Sequence, residues 1–216
     1  MATVQLQELV NGRVAAHNGV GVAPRWDKIA VFNTEVINSN LVALAQVLAP
    51  SLQLAACKPW LAQDTAAANN FVRSERVDFW YKGAAENTEI INANIIALGQ
   101  ALTPALQLTV LVGQIAKYAD SLSQPGKLTW DGFTAENTEV INANLRAYAL
   151  AQAAASAEHW LPSCNMTKGL RIKSAVENSE IVNANLIAFA RALPHVVVQV
   201  VPPTPDQEQP ACCLVM

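Results

Sequence analysis

Apolar residues return along this chain with the spacing of one helical face, and they do so four times. Ile37, Leu41, Leu44 and Leu48 fall at i, i+4, i+7 and i+11, the positions that line one side of an α-helix. Ile91, Ile95, Leu98 and Leu102 repeat that spacing, as do Val182, Leu186, Phe189 and Leu193. The remaining set is Ile141, Leu145 and Tyr148, followed by Gln152. Gln46, Gln100 and Arg191 occupy equivalent positions about half a turn from the stripe. The pattern predicts four amphipathic helices, near residues 33–49, 87–103, 137–153 and 178–193.

Each stripe opens inside a copy of one nonapeptide. The first reads Asn33-Thr34-Glu35-Val36-Ile37-Asn38-Ser39-Asn40-Leu41, and its counterparts begin at Asn87, Asn137 and Asn178. The glutamates Glu35, Glu89, Glu139 and Glu180 lie 54, 50 and 41 residues apart, so the chain is an internal repeat with connectors of uneven length. An asparagine before a helical run accepts a bond from an orphan first-turn amide. Asn33, Asn87, Asn137 and Asn178 are therefore expected as helix N-caps, with the glutamates in the first turn facing solvent. Two further asparagines per copy are unexpected in a helix, because the side chain competes for backbone bonds. Asn40, Asn94, Asn144 and Asn185 fall about 60° from the apolar stripe, where a half-buried amide needs a partner. They are read as polar contacts between neighbouring helices that fix register, or alternatively as the lining of a ligand or ion site.

Pro50, Pro104 and Pro194 follow their glutamates by 15, 15 and 14 residues. The first two lead into further apolar runs, 52–61 and 106–115, so each repeat is expected as a helical hairpin or one kinked helix. Near the start, Val4, Leu6, Leu9, Val10 and Val14 suggest a short helix closed by Asn18-Gly19. Trp26, Trp80 and Trp130 precede three of the motifs and are expected to fill gaps between repeats. The fold class that follows is all-α: four divergent helical repeats over residues 1–200, packed as a helix bundle or short α-solenoid. Residues 201–216 form a flexible tail.

Hydrophobic residues make up 52% and charged residues 14%, against about 25% charged in an average domain. A sizeable core is implied. The net charge of −3 includes no basic cluster, which argues against nucleic acid as a partner. Residues 90–116 carry no charge, a length that would suit a membrane span. That stretch nevertheless contains Asn92, Asn94, Gln100, Pro104, Gln107 and Gln114, so buried helix is the better reading. No secretory signal is recognisable at the start, and Ala2 does not suit myristoylation. Cys57 and Cys164 stand alone and read as reduced thiols. His17, His159 and His195 have no partner at metal-ligand spacing, and no catalytic or phosphate-binding motif is present. The glutamate set lacks the Glu-x-x-His element of di-metal bundles. No metal, no cofactor and no enzymatic activity are expected.

The last residues change character. Val201-Pro202-Pro203-Thr204-Pro205 begins a proline-rich tether, and the chain ends Ala211-Cys212-Cys213-Leu214-Val215-Met216. Cys213 with two aliphatic residues and Met216 resembles the C-terminal CaaX box of prenylated proteins, of the farnesyl type. The resemblance implies farnesylation of Cys213, removal of the last three residues and carboxyl methylation. One lipid binds membranes only marginally, and Cys212 offers a palmitoylation site as the second signal. The expectation is a non-enzymatic scaffold that binds protein partners through helix faces, anchored by lipid at the cytoplasmic face of a membrane. The alternatives are a carrier holding an apolar ligand or pigment between its helices, and a structural coat or array protein that self-associates through its repeats.

Overall fold

The first two repeats each fold as one long helix followed by an extended return, neither a helical hairpin nor a kinked helix; the chain that follows the third helix lies outside the described residues. The computed structural model describes residues 1–9, 26–58, 73–111, 130–153 and 171–202. In chain order they form strand β1 (Ala2–Gln7), helices α1 (Trp26–Leu48), α2 (Arg73–Leu102), α3 (Trp130–Ala153) and α4 (Arg171–Ala192), and strand β2 (Val196–Val201). The protein is mostly helical, with four helices packed against each other and one short strand pair. α1 touches α2, α2 touches α3, α3 touches α4, and α4 returns to α1. The repeats thus close into a ring-shaped bundle.

The predicted apolar stripes line the inside of this ring. Ile37, Leu41, Leu44, Ile91, Ile95, Leu98, Ile141, Leu145, Tyr148, Val182, Leu186 and Phe189 share one buried cluster. A second cluster lies just ahead of the nonapeptides, where Trp80 is fully buried with Ile29, Ala30 and Val31 of α1, Ala84 of α2, and Val176 of α4. Trp80 therefore fills space between repeats. The Trp26 and Trp130 side chains lie outside the described residues.

The helices start well before the nonapeptides. Asn33, Asn137 and Asn178 sit about two turns inside their helices and Asn87 about four turns inside. They are not N-caps, and all four are buried. Interior amides are already paired along the helix, which leaves these side chains to reach other helices. The motif glutamates are half-buried instead of fully solvated.

The prolines mark the ends. In Ala49-Pro50-Ser51-Leu52 the Leu52 N–H donates to the Ala49 carbonyl, and Leu106 to Thr103 and Val196 to Leu193 repeat the bond. Proline occupies the second position of each turn, where its fixed φ is favourable. After the turn, burial alternates: Leu52 and Leu54 are half-buried with Gln53 exposed, and Leu106 and Leu108 are half-buried with Gln107 exposed. This period of two is that of an extended strand; over 52–58 and 106–111 it replaces the start of the helices expected at 52–61 and 106–115, whose remaining residues lie outside the described ones. None of the described helices is long and apolar enough to cross a membrane.

Residues 2–7 also form a strand, not the start of the expected helix, while Val10, Val14 and Asn18-Gly19 lie outside the described residues. β1 pairs in parallel with β2, from Ala2 opposite Val196 to Gln7 opposite Val201. Val4 and Leu6 point into the main core while Thr3 and Gln5 are exposed. Leu6→Ala should lower unfolding free energy by about 2–5 kcal/mol in denaturant titration, because it empties a buried site. Gln5→Ala, on the exposed face of the same strand, should change it by no more than about 0.5 kcal/mol.

Candidate functional site

The chemistry concentrated by the fold is the set of buried asparagines, and helix geometry decides where each one points. At about 100° per residue, Asn38 lies about 100° to one side of Ile37 and Asn40 about 60° to the other. Each helix therefore presents one asparagine to the following helix and one to the preceding helix. Thr34 and Asn33 flank the stripe in the same way one layer lower.

The bonds follow that assignment around the whole ring. Asn94 Nδ2 donates to Asn38 Oδ1 at 2.7 Å, Asn144 to Asn92 at 2.7 Å, Asn185 to Asn142 at 2.7 Å, and Asn40 to Asn183 at 2.8 Å. A second layer links Asn87 to Thr34 Oγ1 at 3.2 Å, Asn137 to Thr88 Oγ1 at 2.9 Å, and Asn33 to Ser179 Oγ at 2.7 Å. Each of these hydroxyls donates to the carbonyl three residues earlier: Thr34 to Val31, Thr88 to Ala85, Ser179 to Val176. Its own proton is thus directed along its helix and its lone pair toward the neighbour. Equivalent positions meet at both layers, so adjacent helices run parallel. The amides of Asn40, Asn94, Asn144 and Asn185 point along the helix–helix junctions and not into a common lumen.

Among the described residues, three junctions contain a strand that the same amides hold. Between α1 and α2, Asn94 Oδ1 accepts from the Ala55 N–H at 2.9 Å, while Asn94 and Asn38 both donate to the Ala55 carbonyl at 2.7 and 3.0 Å. Between α2 and α3, Asn144 and Asn92 hold Thr109 in the same way, at 2.9, 2.8 and 2.8 Å. Between α4 and α1, the held residue is Gln7 of β1, bonded by Asn40 at 2.7 and 2.8 Å and by Asn183 at 3.0 Å. The N–H and both acceptor positions of each strand residue are therefore used. Asparagine suits this position because its amide carries the same donor–acceptor pair as a peptide group. Below Ala55, the Lys58 N–H donates to Asn87 Oδ1 at 3.2 Å. Ala55 to Lys58 as strand covers about 10 Å, the same rise as Asn94 to Asn87 along the helix. The return thus runs antiparallel to the helices, which is what lets the next helix start at the same end.

Asn38, Asn92, Asn142 and Asn183, the Thr/Ser positions and the three strand residues were not singled out from the sequence. A signal for the strands exists: Val4-Gln5-Leu6, Leu52-Gln53-Leu54 and Leu106-Gln107-Leu108 are one short pattern, followed three residues later by Leu9, Cys57 and Leu111.

Other reactive groups are subdued. Burial, with the Glu35 carboxylate nearby, pushes the Cys57 thiol up to about 12, so it stays protonated at neutral pH. Burial, with Glu136 alongside, holds Glu139 above the ordinary carboxyl range. Tyr148 packs its ring on Phe189 at 4.9 Å. Its hydroxyl is buried with no hydrogen-bond partner among the described residues, and burial raises its pKa. Among the described residues no three His, Cys, Asp or Glu side chains come together. Shallow grooves lie on equivalent outer faces of α1 and α4, one lined by Glu35, Asn38 and Cys57, the other by Glu180, Asn183 and Leu9. His17, His159, Cys164, Cys212 and Cys213 lie outside the described residues. Compared with known proteins, the chain matches no family model, no curated protein and no solved structure.

Asn94→Leu strands the Ala55 N–H and Asn38 Oδ1, and at about 1–3 kcal/mol for each orphaned group it should cost about 2–6 kcal/mol in urea unfolding. Ser39→Ala, between the two asparagines of the first repeat, should be near neutral, since the other three copies carry alanine there. Tyr148→Phe removes an unsatisfied hydroxyl and should leave the melting temperature unchanged or raise it. A clear drop would reveal a partner for that hydroxyl.

Proposed function

We propose that the protein is a membrane-tethered interaction protein without enzymatic activity. Lipid on Cys213, with Cys212 as a second acylation site, holds it at the cytoplasmic face of a membrane, and protein partners bind the outer helix faces. The observation that carries this reading is the terminal Cys213-Leu214-Val215-Met216 on a proline-rich segment. Two features of the fold support it. The asparagines of the fourfold motif are engaged in holding helices and strands together, which accounts for the motif as framework. The tail leaves from β2, whose last residue Val201 is exposed, so residues 202–213 start at the surface. As an extended tether they reach about 35 Å, enough to set the bundle off a bilayer.

Intact mass of the protein from its own cells should show a farnesyl-sized gain, loss of the last three residues and a carboxyl methyl group. Cys213→Ser should move the protein from the membrane to the soluble fraction with its melting temperature unchanged. Cys212→Ser should weaken retention while leaving the farnesyl mass in place. A chain ending in unmodified Met216 would overturn the reading.

A further inference from the structure

β2 has a second edge. In the parallel register with β1, Ala2 N–H bonds the His195 carbonyl and Glu8 N–H the Val201 carbonyl. The groups of β2 that face β1 are therefore those of residues 197, 199 and 201. Val198 and Val200 direct their N–H and C=O groups the other way, where no hydrogen bond reaches them among the described residues. The strand is Val-Val-Val-Gln-Val-Val, uncharged and without the lysine, proline or bulge that ordinarily blunts an edge. Its outer face also carries apolar surface: Val197 and Val201 are 41% and 43% exposed, two of the four large apolar side chains exposed among the described residues.

We propose that this edge is a self-association surface that takes β2 of a second copy, antiparallel, about a two-fold axis through Gln199. The argument for a second copy lies in the register. With Gln199 opposite Gln199 of the second copy, Val198 faces Val200 of that copy, and the reverse pair follows by symmetry. Both are hydrogen-bonded pairs of an antiparallel ladder and use the groups that β1 leaves unpaired. The same register sets Val197 beside Val201 of the second copy, so the exposed valines cover one another across the interface. Gln5 Nε2 already donates to Gln199 Oε1 at 3.3 Å, and dimerisation extends this pair into a row of four glutamines. Because no charge lies on either strand, the self-pairing meets no like-charge repulsion. The contact is isologous and closes at two copies, giving a sheet ordered β1-β2-β2-β1. The pairing does not depend on the lipid. Where the lipid reading holds, each dimer carries two tails, which supplies a second anchor.

The test uses the full chain with Cys212→Ser and Cys213→Ser, followed by sedimentation velocity across a micromolar concentration series. The expected mass tends to twice the 23.1 kDa of one chain. Val198→Pro removes an N–H that points away from β1 and has no acceptor among the described residues, at a position where proline is tolerated. It should weaken the dimer by at least about tenfold while circular dichroism stays unchanged. If that variant fails to fold, Val197→Lys with Val201→Lys makes the same test by like-charge repulsion. Gln199→Cys should form a disulfide between copies under mild oxidation, since non-hydrogen-bonded pairs bring Cβ atoms close. A monomer throughout the series would overturn the proposal. So would a dimer that survives both sets of substitutions, or one in which Gln199→Cys does not cross-link.

Discussion

An extended backbone laid in the groove between two helices carries donors and acceptors for which neither helix has a free partner. The fold of this protein rests on how that deficit is met. In a sheet the next strand would supply the missing groups; here side-chain amides do so. Asn94 and Asn38 at Ala55, Asn144 and Asn92 at Thr109, and Asn40 and Asn183 at Gln7 make the same arrangement three times. Because the strand is held on both flanks, it can run back along the bundle. Because it runs back, consecutive helices are parallel and not the up-and-down pairs that short loops impose.

Each helix consequently has a division around its circumference. Its inner stripe is apolar and meets the other three helices, its two flanks carry one asparagine each, and its outer face carries the glutamate. A buried amide contributes little net stability when satisfied but much when orphaned, so this arrangement discriminates among registers more than it adds cohesion. A slip of one helical turn would leave the apolar stripe roughly in place. It would also separate Asn94 from both Asn38 and Ala55. The apolar core provides the cohesion, and the asparagines select the alignment.

The helices were legible in the sequence because their period is local: Ile91, Ile95, Leu98 and Leu102 announce a face without reference to anything else. The edge position of Asn94 was legible for the same reason. Helix starts were not, since Asn-Thr-Glu has the composition of a cap and only the upstream turns show that it lies inside the helix. The strands were obscured differently. Leu52-Gln53-Leu54 is too short to distinguish from a helical fragment by period alone, and its partners are amides on two helices. For β1 one partner, Asn40, lies 33 residues on, and the others, Asn183 and Val196–Val201, lie nearly the whole chain away, so no local pattern can announce them. The terminal cysteines were legible only as a motif.

Placing β1 in the last junction has a consequence for the order of events during synthesis. The strands held between α1 and α2 and between α2 and α3 emerge between the helices that flank them, so those junctions can form as the chain lengthens. The strand for the junction between α4 and α1 is made first, yet one flank of its groove exists only once Asn183 has been added. β1 must wait for α4 and β2. Long-range closure of this kind slows folding, and until it occurs Asn40 lacks its bond to Asn183 and β1 lacks both Asn183 and β2, although Asn40 can already hold Gln7. The ring therefore has a defined final step, and the nascent chain must keep its first strand available until that step is reached.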